Sequence, residues 1–202
     1  MPQPVLETHV DTIRTQFETH GHVYVSDVYD PDEGARLGGE LDELFQWTIY
    51  SDPTALGEQK RSQENPCIDP NLHRATFGVL GAIGALATNV LQRDLWPALP
   101  ASKTVLSCVD MRPIVRSTTG RNEETVPVRG IWHKDRPDID GLVALTTYEG
   151  QSELNFKDET MYELMPGGVA FFDPTKSHCG SALVKRRAMV VARTKQITGN
   201  LC

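Results

Sequence analysis

The sequence predicts a mainly β protein of the α+β class: a double-stranded β-helix (a jelly roll of cupin-like form) with an N-terminal layer of helices. Three observations predict it. Helical periodicity dominates the first half of the chain, strand patterns broken by turn signals fill the second half, and no βαβ alternation joins them. A length of 202 residues supports one substantial core and is short for two. A single domain over 1-202 is therefore expected, with 1-100 as helical support and lid and 101-202 as the jelly-roll core.

In order along the chain, Val5, Leu6, Val10, Ile13 and Phe17 fall on one face of a helix. Val23-Tyr24-Val25 reads as a short strand after Gly21. Asp30-Pro31-Asp32-Glu33 has the marks of a helix start, with an N-capping aspartate, proline at the first helical position and acids in the first turn. That helix should turn Leu37, Leu41, Leu44 and Phe45 inward and end near Trp47 or Ile49. From Ser51 to Arg74 the periodicity gives way to polar residues with Pro53, Pro66 and Pro70, which reads either as a lid or binding loop or as a surface loop without a role. Phe77 to Trp96 resumes as helix, with Gly78, Gly81 and Gly84 offering small surfaces for close packing and Pro97 and Pro100 ending it.

Five strands are expected beyond Pro100: Thr104 to Met111, Val126 to Trp132, Leu142 to Tyr148, Val169 to Phe172 and Ala188 to Ala192. Turns are signalled by Ser117-Thr118-Thr119-Gly120, Glu149-Gly150-Gln151 and Met165-Pro166-Gly167-Gly168.

Composition narrows the function classes. Hydrophobic residues make up 39% and charged residues 23%, with no apolar run long enough for a bilayer. The first residues lack a basic stretch followed by an apolar one, and Cys67, Cys108, Cys179 and Cys202 show no CxxC spacing. Reduced thiols and a cytoplasmic location are expected. A net charge of −7 gives no general attraction to nucleic acid, so the expected partner is a small-molecule substrate, with neither nucleic acid nor membrane.

The chemistry-bearing stretch is Gly130-Ile131-Trp132-His133-Lys134-Asp135. On a strand, residues two apart share a face, so the His133 imidazole and the Asp135 carboxylate can converge on one atom. His178 follows the apolar run and turn Phe171-Phe172-Asp173-Pro174. Two histidines and a carboxylate on one side of a metal suit a non-haem Fe(II) oxygenase. Asp138 and Asp140 are alternative carboxylates at a less suitable spacing, and Asp135 or His178 could each be turn or loop residues.

The order His133-x-Asp135, His178 and then a strand-borne arginine resembles the Fe(II)/2-oxoglutarate-dependent dioxygenases. The opening Phe17-Glu18-Thr19-His20-Gly21-His22-Val23-Tyr24-Val25 with the acidic helix start after it is similar to the phytanoyl-CoA hydroxylase-like branch. The resemblance implies that His133, Asp135 and His178 hold Fe(II), with 2-oxoglutarate as co-substrate and O2 as oxidant. It also implies a basic anchor for the far carboxylate of 2-oxoglutarate, and Arg187 is the first candidate and Arg193 the second. An arginine suits that task because its planar fork gives two parallel hydrogen bonds. The implied reaction oxidises a small molecule, such as an amino acid or a biosynthetic intermediate, by hydroxylation, desaturation or ring formation. Arg112 and Arg116, four apart on one extended segment, and Arg74 on the expected lid are candidates for gripping an acidic substrate group. A cupin-type metalloenzyme that does not use 2-oxoglutarate and a non-catalytic jelly-roll binding domain are the alternative readings.

Overall fold

Val169-Ala170-Phe171-Phe172 shows how the fold divides. All four residues are buried in one strand, yet alternate side chains enter different clusters: Val169 and Phe171 pack with helical residues, while Ala170 and Phe172 pack with Leu154, Phe156 and Leu164. A strand that is apolar on both faces lies between two cores. Burial of each of these phenylalanines contributes about 1.5–3 kcal/mol.

The structure is a computed structural model that describes residues 5–44, 48–51, 58–62, 69, 71–93, 104–112, 114–117, 123–126, 128–129, 132–134 and 142–194. Its helices are α1 (Val5–His20), α2 (Pro31–Leu44) and α3 (Arg74–Asn89). Its strands are β1 (His22–Val25), β2 (Thr48–Ser51), β3 (Glu58–Ser62), β4 (Thr104–Arg112), β5 (Ile114–Ser117), β6 (Glu123–Val126), β7 (Val128–Arg129), β8 (Val143–Phe156), β9 (Met161–Leu164), β10 (Val169–Phe172) and β11 (His178–Thr194). Among the described residues, one antiparallel sheet runs β1-β10-β8-β11-β4-β3-β2, with β7 added to β11 and β9 to β8, while β5 and β6 form a separate pair. Ile13, Phe17, Leu37, Leu41, Val79 and Ile83 from the three helices cover one side of this sheet. The result is the expected α+β, jelly-roll-like fold, a curled antiparallel sheet backed by helices.

Several local expectations hold for the reasons given. Asp30 caps α2, its Oδ1 accepting the Asp32 N–H at 3.0 Å, and Leu37 and Leu41 are buried. The Met165-Pro166-Gly167-Gly168 reversal closes with the Gly168 N–H on the Met165 carbonyl at 3.0 Å, and Gly167 takes a φ of 91°.

Other expectations are corrected. Helix α2 stops at Leu44 and does not reach Ile49, because Thr48-Ile49-Tyr50, rich in strand-forming residues, pairs with β3. The Ser51 to Arg74 stretch is not one irregular connection, since Glu58–Ser62 is a strand between β2 and β4. Its polar sequence hid it; the backbone ladder to β4 holds it. Helix α3 begins at Arg74, earlier than Phe77, and ends at Asn89, well before Pro97, where Gln92 turns the chain with a φ of 53°. Gly78 and Gly81 have open space around them. Gly84 is buried, and a close approach that the sequence does not signal occurs at Gly38 of α2, where a Cβ would lie 2.6 Å from the Tyr148 ring. Glu149-Gly150-Gln151 does not reverse the chain: β8 runs through it, with Gly150 at a φ of 78°. Gly150 to Leu154 is accordingly strand.

Two side-chain ties lock distant parts of the chain. The Glu40 carboxylate of α2 accepts the N–H groups of Ala75 at 3.0 Å and Thr76 at 2.7 Å, capping α3 from outside it. Burial pushes the Glu40 pKa up, but the bonds from Thr76 and Ala75 and the nearby His73 outweigh that and lower it. The second tie joins β1 to the β8–β9 hairpin. His22 is buried, and its Nε2 lies 2.8 Å from Asp158 Oδ2 while its Nδ1 lies 2.8 Å from the Tyr162 hydroxyl. Burial raises the Asp158 pKa, but the bonds from His22 and Thr160 outweigh it and hold the group at about 2.

Glu40→Ala should therefore cost about 1 kcal/mol, the usual value of a lost helix cap, in urea unfolding near neutral pH. Because the folded pKa is lowered, that contribution is present above the ordinary value of 4.5 and is lost as the pH falls below it. For Asp158→Asn the same sign applies. The stability gap between wild type and variant should be constant above pH 3.8 and narrow as the pH falls toward about 2, with denaturation midpoints at several pH values as the readout.

Candidate functional site

The turn that delivers His178 is built by its own sequence. Asp173 Oδ1 accepts the Thr175 N–H at 2.8 Å and the Thr175 hydroxyl at 2.7 Å, and the Lys176 N–H returns to the Asp173 carbonyl at 2.9 Å. The Asp173 N–H is in turn fixed on the Gly21 carbonyl at 2.9 Å. His178 emerges as the first residue of β11, directly across from Phe156 of β8.

On the other side of His178 lies His133. The two exchange backbone hydrogen bonds of 3.0 and 2.9 Å, and their ring centroids stand 4.4 Å apart. Directly paired residues put their side chains on the same face of a sheet, so both imidazoles point to one place. This pairing depends on one extra residue. Between the pairing of Ser181 with Arg129 and that of His178 with His133 the register shifts by one residue. Without that shift Trp132 would stand across from His178, and His133 would point to the other face.

His178 is buried and His133 is exposed, which puts the pair at the rim of the second core. The His178 Nδ1 lies 3.0 Å from the Lys176 carbonyl oxygen. A carbonyl can only accept, so Nδ1 carries the proton and Nε2 carries the lone pair, the tautomer that a metal requires. Phe172 and Phe156 back the His178 ring at centroid distances of 4.6 and 6.3 Å. Beside the pair, Trp132, Asn155, Lys157, Glu159 and Thr160 line an open groove of about 260 Å³, with the Lys157 ammonium 4.5 Å from the centre of the Trp132 ring.

Asp135 lies outside the described residues, as do Asp138 and Asp140. Among the described residues no set of three histidine, cysteine or carboxylate side chains forms a metal cage. The donor chemistry of the pair nonetheless fits a metal such as iron, as two imidazoles on one face leave the other coordination positions open.

Arg187 and Arg193 both belong to β11, the former across from Met111 and the latter across from Val105 and Val143. Arg187 does not begin a strand, as the sequence suggests; it sits in the middle of one. There β11 advances from Val184 to Ala188 while β8 advances only from Gln151 to Glu149, so the strand bulges around Gly150. The two arginine side chains lie outside the described residues.

The candidate substrate arginines lie on separate elements. Arg112 ends β4 across from Glu58, whereas Arg116 is in β5 across from Glu124, in a different sheet. Pro113 between them has no N–H to give to a ladder. Arg74 is exposed at the start of α3. The aromatic wall and the His22, Asp158 and Tyr162 cluster behind it are not visible in the sequence pattern. Their partners are separated by 136 and 140 positions, and no local spacing signals the contact.

No protein-family model matches the sequence, and no curated protein matches it. Solved structures do share its fold. A prolyl-4-hydroxylase from Pseudomonas putida superposes with a TM-score of 0.63 at 15% identity, over 93% of this chain and 99% of that one. The epimerase SnoN, described in complex with Fe3+, alpha ketoglutarate and nogalamycin RO, gives 0.62 at 15% identity, over 96% and 88%. An oxidoreductase of the 2OG-Fe(II) oxygenase family from Burkholderia pseudomallei gives 0.57 at 12% identity, over 94% and 91%. The chain thus has the fold on which these Fe(II)/2-oxoglutarate oxygenases are built.

Proposed function

We propose that this protein is a non-haem Fe(II)- and 2-oxoglutarate-dependent oxygenase of the phytanoyl-CoA hydroxylase-like branch, acting on a small molecule. The observation that carries the reading is the facing pair His133 and His178 at the rim of a jelly-roll-like core. The fold shared with 2OG-Fe(II) oxygenases supports it, and the coverage of nearly the whole chain by those structures supports one domain over 1-202. The small-molecule choice is supported by the acidic charge and by SnoN, an epimerase from nogalamycin biosynthesis in complex with nogalamycin RO. Scattered cysteines without a pairing pattern support a reducing, cytoplasmic setting.

In this reading His133, Asp135 and His178 hold the iron. Bound there, the metal and 2-oxoglutarate would supply the oxidation of an unactivated C–H bond with dioxygen. The Lys176 carbonyl keeps the His178 proton on Nδ1 and so keeps Nε2 a donor toward the metal. Phe156 and Phe172 exclude water behind His178 and hold its ring in one orientation. Arg187, or failing it Arg193, pairs with the far carboxylate of 2-oxoglutarate. Asp135 fills the carboxylate position, which leaves no room for a halide and favours hydroxylation, desaturation or cyclisation. Arg112, Arg116 and Arg74 act singly if at all on an acidic substrate group, given their separate placements.

Anaerobic titration with Fe(II) and 2-oxoglutarate tests the assignment. Wild type should develop the weak visible charge-transfer band of the chelate, and His133→Ala, His178→Ala and Asp135→Ala should each abolish it. Arg187→Ala should keep the band but require at least roughly tenfold more 2-oxoglutarate, as expected for the loss of charge-assisted hydrogen bonds. Bound iron without any band would favour a cupin-type enzyme that does not use the keto acid.

A further inference from the structure

The cluster behind the aromatic wall has more order than a structural tie needs. Asp158, ionised and able only to accept, lies on His22 Nε2, so that nitrogen carries the ring proton. When the ring is neutral, Nδ1 is its acceptor nitrogen, and the hydroxyl 2.8 Å away, that of Tyr162, donates to it. The phenol is thus bonded to a base whose opposite side faces a carboxylate. Burial and the Asp158 charge push the Tyr162 pKa up to about 12, which keeps the phenol protonated and donating.

The same tyrosine is linked to His178 through one intervening ring, Phe156. The Tyr162 and Phe156 centroids are 5.9 Å apart, and those of Phe156 and His178 are 6.3 Å apart. His22 stacks on Phe156 at 3.9 Å and 11°, which fixes the middle ring. Tyr162 itself is partly exposed and stacks on Tyr24 at 5.9 Å, so one end of the chain of rings reaches the surface.

We propose that Tyr162 is a redox-active tyrosine, with His22 as its proton acceptor and Asp158 as counter-charge, that removes oxidising equivalents stranded at the metal site. The inference rests on the oxygenase reading above. With iron, 2-oxoglutarate and dioxygen bound and no substrate C–H bond in reach, Tyr162 would give up one electron across Phe156 to the oxidised site. The phenolic proton moves at the same time to His22 Nδ1. The products are a neutral phenoxyl radical and an imidazolium whose charge is balanced by the Asp158 carboxylate, and the metal site is reduced by one electron. A small thiol or ascorbate at the exposed edge returns an electron to Tyr162, and His22 returns the proton.

The experiment uses the full chain loaded with Fe(II) and 2-oxoglutarate, exposed to dioxygen without substrate and frozen at intervals for electron paramagnetic resonance. The visible chelate band is recorded first in each sample. Wild type should show a tyrosyl signal that narrows when the protein carries ring-deuterated tyrosine. Tyr162→Phe should keep the chelate band, lose the signal and form several-fold fewer succinates before inactivation. His22→Gln should keep the band and lower the radical yield. A chelate band with no tyrosyl signal, or a signal unchanged in Tyr162→Phe, would overturn the relay while leaving the oxygenase reading standing. Absence of the chelate band in wild type would overturn both.

Discussion

The antiparallel ladder between β8 and β11 is the constraint on which the rest of the structure depends. It carries His178 opposite Phe156 at one end and Arg193 opposite Val143 at the other. Both histidines, the aromatic wall and the stretch containing Arg187 take their places from it. Backbone pairing over so long a span also forces curvature, because twisted strands cannot stay flat across two layers. Gly150, at a φ open mainly to glycine, and the bulge from Val184 to Ala188 absorb that curvature. A non-glycine residue at position 150 would therefore strain the ladder at its bend.

The second determinant is the extra residue between Arg129 and His133. Side-chain direction in a strand is set by parity, so a single inserted residue decides whether an imidazole or an indole faces His178. This register turns His133 toward His178 and leaves Trp132 on the open groove with Lys157. The facing of the two imidazoles thus depends less on the identity of the strand than on its register. Bulges near sites re-aim side chains in this way.

These two features also explain what could be read in the sequence. The α+β class was legible because the change from helical to alternating patterns is strong, and the N-cap at Asp30 and the reversal at Gly167 were legible because each is a local chemical signature. The polar strand Glu58–Ser62 was not, since it is held by main-chain bonds to β4 that leave no side-chain pattern. Glu149-Gly150-Gln151 looks like a turn because the same glycine serves a turn or a bend, and only the presence of a partner strand decides between them. His133 and His178 stood out by type and spacing. Their contact through a bulge did not, because nothing between Arg129 and His133 announces which residue will be unpaired.

The two cores on either side of β10 divide the work. The helical side is packed by Leu37, Leu41, Val79 and Ile83 with Phe171, and its polar needs are met locally, as when Glu40 caps α3. The inner side is aromatic and holds the buried polar residues His22 and His178 beside Phe156 and Phe172. Burying an imidazole there is tolerable only if its nitrogens find partners, which ties His22 to Asp158 and Tyr162 and His178 to the Lys176 carbonyl. Those partners come from the β8–β9 hairpin and from the turn before β11, so satisfying the histidines also clamps the segments that frame the site. The helical layer can then tolerate hydrophobic exchange as long as β10 keeps its place, whereas the inner face cannot, because there each ring fixes the orientation of the next.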